Sequence, residues 1–210
     1  MKKSLLLLIL LFGFAPDAFA HPVSYKDAIG VMTWNQAFMS DQWVTYSFKP
    51  NMAVAARFMR MEMPESRLNY SGAQFDYLLA RDNGDDHQVN LYAYAGGGNV
   101  HFDHSDGGAY FAGFEADAEN RKYFGLFKAE TMRSSNAPDF DHLEARLGVA
   151  PYEAEYTEIA TWFMIQAQWH PTLSKKFVLT PLARLFYKSF LLETGVSVDG
   201  DWMMNFMFHF

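Results

Sequence analysis

The sequence predicts an all-β fold: a closed antiparallel meander of twelve strands, with ten as the alternative count, that spans a membrane. Three observations predict it. Hydrophobic residues recur with period two along nearly the whole chain, the apolar set is too large and bulky for one soluble core, and the last stretch, WMMNFMFHF, carries large apolar groups to the final residue. Successive side chains of a strand point to opposite faces, so period two reads as strands with one apolar face. A soluble barrel turns that face inward, whereas a membrane barrel turns it to lipid and lines its lumen with the polar set. Twelve strands with four or five bulky apolar groups each would overfill a barrel of this size, and polar faces mixed with Phe, Met and Leu suit a lumen better than water.

The elements follow in order. Lys2 and Lys3, the apolar run Leu5 to Phe14 and the small-x-small Ala18-Phe19-Ala20 read as a cleaved secretory signal over residues 1–20. That run is too short for a helical span, which needs about 20 apolar residues. The barrel domain is then residues 21–210, starting at His21. Its strands are expected near 27–36, 41–49, 52–62, 69–81, 87–96, 107–117, 121–133, 140–150, 157–169, 175–187, 190–199 and 201–210. Gly, Pro, Asn and Asp punctuate the joins, as in Lys49-Pro50-Asn51 and Asp199-Gly200-Asp201. No amphipathic helix separates the strands, which excludes a parallel α/β sheet.

Composition narrows the function classes. The chain has no Cys, so disulfides, thiolate metal sites and a Cys nucleophile are excluded. Removing Lys2, Lys3 and Asp17 from 17 Lys+Arg and 24 Asp+Glu leaves 15 against 23, a net charge of −8 with His neutral. Without a basic patch, nucleic acid is not an expected partner.

An even strand count places both termini on one side, with turns there at 49–51, 82–86, 117–120, 150–156 and 188–189. The outward loops are then 36–41, 62–69, 96–107, 134–140, 170–174 and 199–201, the longest being AGGGNVHFDHSDGG. Trp34, Trp43, Trp169 and Trp202 are expected at the two interfaces as girdles. The lumen-lining set is Asp76, Glu115, Glu130, Glu144, Glu158 and Glu193 against Lys128, Arg146, Arg184 and Lys188, joined by Arg57 or Arg60. These charges nearly balance, so a ring of one sign is not expected.

The secretory signal, the even meander and a last strand with Trp202, Met204, Phe206, Phe208 and Phe210 on one face resemble bacterial outer-membrane β-barrels. The size and strand count are similar to those of the small monomeric porins for acidic sugars. The resemblance implies localisation in the cell outer membrane, a monomer, contact with outer-membrane lipid and lipopolysaccharide, and delivery by the outer-membrane assembly machinery, which reads such a terminal strand. It implies a narrow porin-like channel for passive passage of small solutes, with a closed structural barrel as the alternative.

An enzyme is not expected. His142, Glu144 and Arg146 share a face and read as a salt-bridge ladder. No cofactor is required, and the sharper alternative is a copper-type metal site. A mature N-terminal His21 would offer an α-amino group and an imidazole together. His101, Asp103 and His104 offer mixed donors in one loop, without an established metal spacing.

Overall fold

The computed structural model describes residues 22–210 apart from Glu65, Tyr156 and Ser174. The predicted signal peptide and His21 lie outside the described residues. The regular structure is twelve strands: β1 (Ala28–Gln36), β2 (Met39–Lys49), β3 (Met52–Glu62), β4 (Arg67–Asn83), β5 (His87–Phe102), β6 (Ser105–Asn120), β7 (Tyr123–Ser134), β8 (Phe140–Val149), β9 (Ala160–Trp169), β10 (Phe177–Tyr187), β11 (Phe190–Val196) and β12 (Trp202–His209). Each pairs antiparallel with its chain neighbour, and β1 pairs with β12 to close the barrel.

The closing seam runs from Gly30 opposite His209 to Gln36 opposite Met203. The Phe210 amide adds a bond of 2.8 Å to the Ile29 carbonyl. Closure is what hydrocarbon demands, because an unpaired backbone group there costs several kcal/mol. On β12, Trp202, Met204, Phe206 and Phe210 are exposed and Phe208 half-buried, while Met203, Asn205, Met207 and His209 point inward and are buried.

The apolar set faces outward around the wall, including Val44, Phe58, Phe75, Phe114, Leu147, Phe163 and Ile165. The alternate residues are buried, including Asp41, Arg57, Gln74, Glu144 and Gln166. That inversion of a soluble protein marks a wall whose solvent is lipid.

The predicted outward loop 96–107 is instead strand. β5 and β6 continue through it to a turn of two residues, Asp103 and His104, with φ of 46° and 62°. Positive φ at both centres suits the twist of a hairpin. Gly96, which read as loop, and Gly113 are packing positions. A Cβ on Gly96 would overlap the Phe111 ring, and one on Gly113 would overlap Tyr94. With 17, 16 and 16 residues, β4, β5 and β6 are each about 55 Å long at ~3.4 Å per residue, and even tilted they make the tallest part of the wall. β11 has 7 residues, about 24 Å. The top of the tall wall carries Asn69, Ser71, Asn99, His101 and Asp106 outward, all exposed.

The girdle expectation is corrected for two tryptophans. Trp43 is buried and Trp34 half-buried, and they meet inside the barrel with ring centroids 4.8 Å apart. Trp43 shares the parity of the inward residues Asp41 and Thr45, which sends it to the lumen. Trp169 and Trp202 do face outward.

Candidate functional site: the lumen

The lumen runs from a distal end, opposite the termini, to a proximal end that bears them. Alternation along each strand puts the site residues inside, and closure then brings distant strands into contact. Distally, buried Met39, Met59, Met61, Met63 and Met132 pack with Leu68, Tyr70, Tyr94, Phe111, Phe140 and Leu173.

Below this cluster Arg57, from β3, bridges the lumen. Its guanidinium donates to Asp41 of β2 at 2.8 Å and to Glu130 of β7 at 2.8 and 2.9 Å, with Gln74 of β4 at 3.3 Å. The same group lies 5.1 Å from the Trp43 ring centroid and 4.6 Å from that of Phe111. Paired and sandwiched between rings, it satisfies the demands of a buried cation. A second network joins β8, β10, β11 and β12. Arg146 contacts Glu144 at 2.7 Å and Glu193 at 3.0 Å, Arg184 contacts Glu193 at 2.7 Å, and Asn205 donates to Glu193 at 2.8 Å.

Lys128 projects between these networks. Its ammonium lies 5.7, 5.0 and 5.4 Å from the ring centroids of Trp34, Trp43 and Tyr94. Proximally, Asn90 donates to Asp117 at 2.7 Å, and Arg81 donates to Asn90 and Tyr92. In the β4–β5 turn the hydrogen bond with His87 holds the Asp86 carboxyl below its ordinary range.

A cavity of about 560 Å³ follows this interior. It starts among the proximal turns, at Asn83–Gln88 and Glu119–Arg121, and reaches Gln36, Met39 and Phe140 distally. Its lining holds nine carboxylates (Asp41, Asp85, Asp86, Glu115, Asp117, Glu119, Glu130, Glu144, Glu193) against five Lys or Arg (Arg57, Arg121, Lys128, Arg146, Arg184), a formal excess of four negative charges.

Of the residues predicted to line the lumen, Asp76, Glu130, Glu144, Arg146 and Glu193 are buried inside, and Glu115, Lys128 and Arg184 are half-buried on the cavity. Arg57 is inside, whereas Arg60 is exposed beside Glu62. Two expectations are corrected. Glu158 is exposed in the β8–β9 connection, where it accepts the Glu155 amide bond, because β9 starts only at Ala160. Lys188 is exposed in the β10–β11 turn with φ of 54°, past the end of the alternating run.

Asp41, Asp117 and His170 were not predicted. Parity with Trp43 and with Glu115 marks the first two, but no sequence signal marks His170, whose loop folds inward. The predicted donors His101, Asp103 and His104 form the β5–β6 tip, with His101 bonded to Asp106 at 2.8 Å and the other two serving as turn residues. Among the described residues, no group of three or more His, Asp or Glu is placed to hold a metal ion.

No family model and no curated protein matches the chain. Solved structures do. A KdgM porin in complex with disordered oligogalacturonate matches with a TM-score of 0.51 and 9% identity, covering 87% of this chain and 99% of that one. A structure of KdgM porin gives 0.51 and 8% over the same shares. OmpT, an outer membrane protein of Vibrio cholerae, gives a TM-score of 0.32 and 8% identity over 93% of this chain and 100% of that one. At such identities the likeness is one of architecture, and the chain has the closed, twelve-stranded, antiparallel barrel fold of the outer-membrane porin type.

Proposed function

We propose that this chain is a monomeric outer-membrane barrel acting as a narrow, non-enzymatic passage for small solutes, with a preference for cations or neutral molecules. The observation that carries the reading is the polar cavity of about 560 Å³ running from the proximal turns to the distal cluster. Its excess of four carboxylates supports the charge preference, since fixed charge of one sign in a narrow lumen attracts the opposite ion. The similar KdgM structure holds an oligogalacturonate, a chain of uronic acids. The acidic lining here does not suit a polyanion, so that ligand is not carried over. Contact with outer-membrane lipid and lipopolysaccharide, delivery by the assembly machinery and a periplasmic proximal end belong to the same reading.

The distal apolar cluster and the Arg57 bridge favour a second reading, a closed structural barrel. Planar-bilayer recording of refolded protein under a KCl gradient separates the two. The passage reading expects small discrete current steps and a reversal potential on the cation side. Absence of steps would remove the passage, and anion selectivity would remove the charge argument.

A further inference from the structure

Five buried methionines in the distal cluster are explained as adaptable filler. The imidazole among them is not. His170 folds in from the β9–β10 loop and is fully buried. Its ring stacks on Phe140 at 5.8 Å and on His142 at 4.5 Å, and meets Phe38 edge-on at 5.4 Å. Both of its ring nitrogens are buried without a hydrogen-bond partner among the described residues. A neutral imidazole carries one donor and one acceptor, so both are left without a partner from these residues. The Nε2 of buried His142 is in the same condition, its nearest carboxylate, that of Glu144, lying 3.6 Å away.

The surroundings select the ion. The ring of His170 meets aromatic side chains, and the cluster it enters supplies thioethers. Met39 stands directly opposite Met61, and Met132 opposite Phe140, the ring that stacks on His170. Met59 is already engaged, its sulfur receiving an N–H from Arg57. Thioethers with imidazole favour soft ions, whereas Ca²⁺ and Mg²⁺ require oxygen. The cavity reaches Met39 and His142, which gives an ion a route from the proximal end.

We propose that the distal cluster binds one soft monovalent metal ion, Cu(I) or Ag(I), through His170 with thioether support from Met39, Met61 and Met132. The site is distinct from His21 and from the hairpin of His101, Asp103 and His104. It requires only the folded barrel, so its failure leaves the passage reading intact.

The test uses residues 21–210 refolded in detergent under anaerobic reductant, competing with bicinchoninate for Cu(I). One equivalent of Cu(I) is expected to be withheld, with sulfur and nitrogen both present in its X-ray absorption spectrum. His170→Phe, which keeps a ring in the stack, should weaken Cu(I) retention at least about tenfold, the lower range for loss of groups around a metal. The paired Met39→Leu and Met61→Leu change, close in volume, should also weaken it, and His21→Ala and His101→Ala should not. Heat-modifiable migration on cold gels reports folding of each variant. Failure of the folded wild type to withhold Cu(I), equal retention by His170→Phe or by the Met pair, or a spectrum with only nitrogen and oxygen neighbours would overturn the site.

Discussion

Arg57→Met is the most demanding test of the lumen network. The substitution keeps a long apolar stem and removes the guanidinium. Arg57, Asp41 and Glu130 have side chains 2%, 7% and 1% exposed, so the pairing is buried in the folded barrel. Breaking a buried pair by deleting one member costs about 3–5 kcal/mol, because the other charge stays buried and uncompensated. Two carboxylates are stranded here, but Asp41 keeps the Trp43 indole N–H at 2.8 Å. Glu130 therefore bears most of the loss. Contacts with Trp43 and Phe111 go as well, worth about 0.5–2 kcal/mol each for a cation on a ring. The ring contacts and the pair are lost with one guanidinium and do not simply add, so the expected total is roughly 3–5 kcal/mol. Arg57→Lys should fall between, because a point charge cannot reproduce a fork that serves two carboxylates.

The assay is urea unfolding in lipid vesicles, followed by tryptophan fluorescence and by the heat-modifiable band. The triple variant Arg57→Met, Asp41→Asn, Glu130→Gln removes the stranded charges and should recover most of the loss. A single variant within about 1 kcal/mol of wild type would show the bridge to be surface-like in energy. A triple variant no better than the single would show that stranded charge is not the cause. Because the bridge joins β3 to β7 across the lumen, Arg57→Met that still folds should also carry larger single-channel currents.

The other predictions test separate parts of the argument. Phe163, 58% exposed in the middle of β9, should tolerate Leu, while Phe163→Lys should cost about 2–4 kcal/mol in lipid; no cost in vesicle unfolding would contradict a lipid-facing wall. Glu115→Gln with Asp117→Asn should move the reversal potential toward non-selectivity, and an unchanged potential would place the selectivity elsewhere. Gly113→Val should destabilise by about 1–3 kcal/mol, because its Cβ would overlap Tyr94 and the Ala129 carbonyl; neutral behaviour in the same unfolding assay would remove the packing role of that glycine.

The residues that could be read in advance, and those that could not, divide along one physical line. Alternation is local, so the face of each side chain follows from parity once a strand is recognised. Glu130, Glu144, Arg146 and Glu193 were legible for that reason, and so was the outward row Trp202, Met204 and Phe206. Parity also held what was overlooked, since Asp41 and Trp43 share one face and Asp117 shares another with Glu115. Treating Trp34 and Trp43 as interface anchors set composition above parity, and both tryptophans stand inside the barrel. Glu158 and Lys188 failed because parity ends where the strand does.

Partnership across the lumen is a different matter. Arg57 and Glu130 are 73 residues apart, and only closure of the wall brings β3 against β7. The glycines of β5 carry the same ambiguity. A glycine run breaks a strand when nothing packs on it, and permits one when Phe111 needs the space. His170 is the furthest case, a loop residue whose burial depends on Phe38 from the β1–β2 turn meeting it across the distal end. What the lumen does is therefore decided by contacts that one strand's pattern cannot encode, and the variants that report on function are those that break contacts between distant strands.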